Sequence, residues 1–204
     1  MSTRIGLLDY GSGNLHSAAR ALAGAGADVI VSADPTELGR CAGLVVPGVG
    51  AFAACMDGLT AVGGDDLIRD WVAGQRPLLG ICVGHQVLFS RGAEHGIEVA
   101  GVGLLDGAVT GLRAERLPHM GWNTVSAPEG SRLFAGVRDE RFYFVHSYAA
   151  TAAVPGAVTT FAAHEGVPFV AAVEAGPVSS TQFHPEKSGA AGARLISNWL
   201  ATVA

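Results

Sequence analysis

Four short apolar runs constrain this chain more than any other feature: residues 5–9, Asp28–Ser32, Gly43–Val46 and Leu78–Ile81. Each is too short for a helix and too apolar at its centre to leave a face in water, which is the mark of a strand buried on both sides. Between them lie stretches with helical spacing, over residues 15–25, 51–59 and 65–73. In the last of these Leu67, Ile68, Trp71 and Val72 recur on one face. Strands that alternate with helices pair in parallel, because the crossover helix carries the chain back to the same edge. The expected fold is α/β, an open and largely parallel central sheet flanked by helices, with a further helix over residues 84–91.

The second half reads differently. Residues 141–145 and 169–173 are β-type runs, and turn signals stand at Ala127-Pro128-Glu129-Gly130, Val154-Pro155-Gly156 and Glu165-Gly166. They predict antiparallel strands or hairpins added to the main sheet. Residues 178–183 would return to that sheet, and residues 191–203 would form a closing helix. No linker or repeat interrupts the 204 residues, so residues 1–204 are expected to form one domain. Hydrophobic residues at 49% against 15% charged exclude a disordered chain. A net charge of −5 argues against a nucleic-acid surface. No apolar run approaches the roughly 20 residues of a membrane helix, and the N-terminus lacks the form of a signal peptide. Cys41, Cys55 and Cys82 are odd in number and form no C-x-x-C pair, so free thiols in a cytoplasmic protein are expected, with no metal and no cofactor.

Three strand-to-helix turns, at residues 10–14, 47–50 and 82–84, would lie on the carboxyl edge of the sheet, where such folds bind ligands. The third ends the apolar run P-L-L-G-I at Cys82, with Gly80 and Gly84 on either side. Small neighbours permit a sharp elbow that lifts a nucleophile off the sheet. A helix starting at the sulfur would favour the thiolate, and the Val83 amide could bind a developing oxyanion. On the turn alone, a buried inert thiol is an equal reading, and it is the expected one for Cys41 and Cys55. The segment Q-F-H-P-E near the C-terminus shifts the balance. At strand spacing His184 and Glu186 share a side, giving thiol, imidazole and orienting carboxylate. His16, His95 and His164 read as surface or loop residues, and His85 as a helix-face residue beside the elbow.

The pair G-I-C-V-G-H-Q and Q-F-H-P-E-K-S resembles the class I glutamine amidotransferases, the triad glutaminases. That resemblance implies Cys82 as nucleophile, His184 as base and Glu186 as its orienting carboxylate. It also implies oxyanion contacts from the Val83 and Val49 amides, with Gly50, Gln86, Ser147 and Tyr148 around the bound glutamine. The Gln86 amide offers both a donor and an acceptor to the substrate. D-Y-G-S-G-N, P-G-V-G-A-F, P-H-M-G-W-N and Y-F-V-H-S-Y, spread over almost the whole chain, resemble the glutaminase subunits of imidazole glycerol phosphate synthases.

This branch implies a heterodimer with a cyclase subunit, a (β/α)-barrel that receives the ammonia and makes imidazole glycerol phosphate and aminoimidazole carboxamide ribotide in histidine biosynthesis. The docking surface would include Asn14, Met120, Trp122 and Lys187, with His119 in the same partner-facing motif. Met120 and Trp122 could instead be core residues of a strand. Flanking glycines leave the Val49 peptide free to rest with its donor turned away until the partner and its ligand bind. Two positions depart from the pattern: Val83, where the wider family often has Leu, and His85, where this branch more often has Met. G-H-Q is common in the glutaminases of anthranilate and aminobenzoate synthases, so these stand as an alternative. A related cysteine hydrolase and a triad-bearing subunit without activity stand beside them.

Overall fold

In the computed structural model, which describes residues 2–203, the short apolar runs lie side by side in one sheet. β1 (Arg4–Leu8) leads through α1 (Leu15–Gly24) to β2 (Asp28–Ser32), and α2 (Pro35–Leu38) leads to β3 (Gly43–Val46). After α3 (Phe52–Ala61) and α4 (Gly64–Ala73) comes β4 (Leu78–Ile81), followed by a single helical turn, α5 (Val83–Gln86). Strands then dominate: β5 (Phe89–Glu94), β6 (Ile97–Ala100), β7 (Leu105–Gly111), β8 (His119–Thr124), β9 (Arg141–His146) and β10 (Tyr148–Ala149). They are followed by β11 (Val158–His164), β12 (Val167–Ala175), β13 (Val178–Thr181), a 3₁₀ turn at Pro185–Lys187, and α6 (Gly189–Leu200).

The main sheet has seven strands in the order β11-β12-β13-β4-β3-β1-β2. From β13 to β2 all neighbours are parallel, while β12 is antiparallel to both β13 and β11. β3 and β4 are buried at every residue, because α-helices cover both faces and no side chain reaches water. The helices present apolar stripes to it: Ala18 and Leu22 from α1, Leu195, Ile196 and Trp199 from α6. Register decides where the chemistry lies. Val46 pairs with Gly80, and Ile81 pairs with Thr181. The turns that follow β3, β4 and β13 therefore open onto the same edge.

Two expectations are corrected. The segment read as a helix over residues 84–91 is helical only to Gln86, and Phe89 onward is strand β5. β5 pairs with β6 and β7 in a second sheet, ordered β10-β7-β5-β6, so long-range pairing overrides the local preference. The run at residues 141–145 is a strand, but it pairs only with β8 in a separate two-stranded sheet, while β11 and β12 extend the main one.

Candidate active site

Cys82 stands between β4 and α5 at φ 56 and ψ −113. This left-handed conformation is rare for a residue with a side chain and stores strain, of order 1–3 kcal/mol. The surroundings hold it there. The Cys82 amide donates to the Thr181 carbonyl at 2.8 Å, and the His85 and Gln86 amides donate to the Cys82 carbonyl at 3.0 and 3.1 Å. Gly84 lies hard against the end of β3: a Cβ there would be 1.9 Å from the Val46 carbonyl oxygen. With only one helical turn behind it, the elbow offers local amides rather than the dipole of a long helix.

His184 reaches the same place from β13. Its backbone is extended, and Glu186 follows inside the 3₁₀ turn. The turn, rather than strand alternation, folds the carboxylate back, so that His184 Nδ1 donates to Glu186 Oε1 at 2.7 Å. Ser188 pins this turn to β9: its hydroxyl donates to the His184 carbonyl at 2.7 Å and accepts from the Tyr143 amide at 3.0 Å. With Nδ1 committed, Nε2 is the ring atom left for the sulfur, and it has no other partner. Burial pulls the His184 pKa down, but the Cys82 sulfur and the Glu186 carboxylate overcome it and raise it to about 9.

A cavity of about 210 Å³ opens above the sulfur. Cys82 and His184 line it, as do Gln86, Ser147 and Tyr148, and the Val49, Gly50, Val83 and Lys187 positions border it too. Glu94 also reaches this cavity, and sequence reasoning missed it because the strand that carries it, β5, is set by pairing with β6 and β7. One Glu94 oxygen accepts from the Phe52 amide at the start of α3, at 3.0 Å, which anchors the carboxylate at the rim.

Neither expected oxyanion donor is free. The Val83 amide donates to the Gly48 carbonyl at 3.3 Å, and the Val49 amide donates to Ser12 Oγ at 3.1 Å. Gly48 O and Val49 N–H belong to one peptide plane, so one rotation of that plane would release both donors. Ser12 also donates to the Val49 carbonyl at 2.8 Å, and buried Cys55 packs behind it, its sulfur 3.3 Å from Ser12 Oγ. Gln86 is corrected too. Its amide nitrogen is used by the Tyr148 carbonyl at 2.9 Å and Gln182 Oε1 at 3.0 Å, leaving its oxygen as the group for a ligand.

On the surface, Met120 and Trp122 are 62% and 53% exposed, which excludes the core reading, and Asn14 and Lys187 are exposed as well. Asn14 also caps α1, accepting from the Ser17 amide at 3.3 Å. His119, placed with this surface in the sequence reading, points inward and is buried. Strand alternation explains the difference: one face of β8 meets water and the other meets the core. His164 is not a loop residue; it ends β11 and stacks on His119 with ring centroids 4.4 Å apart. Among the described residues no cluster of His, Cys, Asp or Glu is placed to hold a metal, and no helix is long and apolar enough to cross a membrane.

The glutamine amidotransferase class-I family model matches residues 6–203. The chain belongs to that family. Its relatives include the imidazole glycerol phosphate synthase subunits HisH of Cutibacterium acnes, 60% identical over 97% of this chain and 96% of that one, and of Nocardia farcinica, 61% identical over 96% of each. Two solved structures share the amidotransferase fold: a glutamine amidotransferase, with TM-score 0.78 and 20% identity over 98% of both chains, and PurLQS from Thermotoga maritima, with TM-score 0.79 and 17% identity over the full length of both.

Two buried histidines predict that this amidotransferase loses stability in acid. Burial pushes His85 and His146 down to about 3: His85 has one partner, the Ser180 hydroxyl, and His146 two neutral ones, the His119 ring and the Tyr148 carbonyl. The unfolded chain takes up those protons near pH 6.5. It therefore binds more protons than the native state between about pH 6.5 and pH 3, and stability falls as the pH drops through that window. At pH 5 the two rings together cost about 4 kcal/mol. Urea midpoints at pH 7.5 and pH 5 are expected to show a loss of that order, and His85→Leu to remove part of the slope.

Proposed function

We propose that this chain hydrolyses glutamine through a thioester on Cys82 and passes the ammonia to a cyclase subunit, as the glutaminase half of a heterodimeric imidazole glycerol phosphate synthase. The observation that carries the reading is a strained cysteine at the floor of a cavity, faced by an imidazole whose other nitrogen is fixed by Glu186 at 2.7 Å. The sulfur attacks the side-chain amide carbon, and the charge that develops on oxygen is taken by the Val83 and Val49 amides. The His184 imidazolium gives its proton to the leaving amine, so that neutral ammonia departs. A water then attacks the thioester, His184 takes its proton, and glutamate leaves with the thiolate restored. Glu186 keeps the ring oriented throughout. The Gln86 oxygen and the Glu94 carboxylate suit the substrate's ammonium, and Ser147, Tyr148 and Gly50 line its path.

In this reading the closed oxyanion turn is the resting state, and docking at Asn14, Met120, Trp122 and Lys187 releases it. The cyclase receives ammonia and yields imidazole glycerol phosphate and aminoimidazole carboxamide ribotide in histidine biosynthesis, in the cytoplasm. Glutamate release is expected to be low for the chain alone and to rise when the cyclase and its ribulosyl phosphate ligand are added. Stimulation by a chorismate-using synthase instead would move the chain to the anthranilate and aminobenzoate branch. Full activity in the isolated chain would overturn the resting-state reading. Ser12→Ala tests the turn directly. It removes one hydrogen bond that holds the Val49 amide away, worth about 1 kcal/mol, so partner-free activity is expected to rise about fivefold.

A further inference from the structure

We infer that His119 and His146 form a one-way hydrogen-bond relay from β8 to the cavity, and that His119 is a positioning residue for glutamine acting through the Tyr148 carbonyl and the Gln86 amide. The inference rests on the reading of the cavity as a glutamine site. The direction of the relay follows from its two ends. Each end is a backbone carbonyl, which can only accept.

At the cavity end, His146 Nδ1 lies 3.0 Å from the Tyr148 carbonyl, so Nδ1 carries the hydrogen. Burial keeps this ring neutral, so its Nε2 is an acceptor. His119 Nδ1, 2.9 Å away, must then donate to it. At the other end, Asn123 Nδ2 donates to the Ala163 carbonyl at 2.9 Å, which orients that amide. Its second hydrogen faces His119 Nε2 at 3.2 Å, and that nitrogen accepts. Every proton in the chain is thereby assigned, and both histidines are of the Nδ1–H form.

The Tyr148 carbonyl takes a second hydrogen, from Gln86 Nε2 at 2.9 Å. This is the contact that turns the Gln86 oxygen toward the cavity. His119 sits in the middle of the route, buried between Phe144, Phe169 and His164, with the exposed Met120 next to it on β8. Loss of its donor leaves the buried His146 Nε2 unpaired. The ring is then free to turn or to change tautomer, and the Tyr148 carbonyl loses one of the two groups that hold it.

Ring nitrogen NMR of the full chain labelled at histidine, together with glutaminase kinetics of the cyclase complex, tests this. The expected spectrum at pH 7.5 has His119 and His146 as Nδ1–H tautomers. The expected kinetics are a KM for glutamine raised about fivefold in His119→Leu with kcat within about twofold, the cost of one net hydrogen bond. His119→Asn, whose amide nitrogen replaces Nδ1, is expected to restore KM. An Nε2–H tautomer at either ring overturns the relay, and so does an unchanged KM in His119→Leu. The tautomer measurement holds even if that variant does not fold. If the wild-type complex does not hydrolyse glutamine, the functional reading fails while the spectrum still reports on the relay.

Discussion

Cys82→Ala is expected to lower partner-activated glutamate release by at least about 10⁴-fold, with the far-ultraviolet circular dichroism unchanged. No other group at the cavity floor can form the covalent intermediate. Among the described residues, Cys41 is buried in the core, and Cys55 is held behind the Val49 turn with its thiol pushed up by burial. His184→Ala should cost a similar factor, and the double variant little more, because the two act as one unit. A double variant whose losses simply multiply would show that they act separately. The elbow adds a second expectation. Cys82→Gly should be as inactive as Cys82→Ala but more stable, by about 1 kcal/mol or more, since glycine accepts φ 56 without strain. Urea unfolding of the two variants checks this, and equal midpoints would mean that the elbow stores no strain.

Gly84→Ala is expected to cost more than about 4 kcal/mol and to leave little soluble protein. The added Cβ would lie 1.9 Å from the Val46 carbonyl oxygen and 3.0 Å from the Pro47 carbonyl carbon. Both are backbone atoms, so no side chain can move aside. Relief would require β3 and α5 to separate, and that contact sets both the elbow and the Pro47-Gly48 turn. Gly24→Ala at the end of α1 is the control. Nothing lies within 4 Å of the added carbon and φ is ordinary, so it should stabilise, by up to about 1 kcal/mol. Yield and urea midpoint measure both, and a well-folded Gly84→Ala would refute the close-contact argument.

Much of this protein is legible locally. The apolar runs at residues 5–9, 43–46 and 78–81 can be satisfied only by burial on both faces, so the parallel sheet follows from side-chain chemistry alone. The small residues around Cys82 and the H-P-E segment follow equally, because a sharp turn and a carboxylate beside an imidazole depend on near neighbours. Residues 84–94 were not legible. A one-turn helix followed by β5 is decided by pairing with β6 and β7, the latter beginning only at Leu105.

The closed oxyanion turn, the donor direction of the His119 ring and the free oxygen of Gln86 share one cause. Each is set by the orientation of a single group that rotates at little intrinsic cost: a peptide between glycines, a ring, an amide. Sequence determined which turn residues meet at the cavity edge, since burial and turn chemistry leave few choices, whereas Glu94 is carried there by the pairing of β5. Tertiary structure alone decided which way their donors and acceptors point, since their partners, Ser12 for Val49, His146 for His119, Tyr148 and Gln182 for Gln86, stand far apart along the chain.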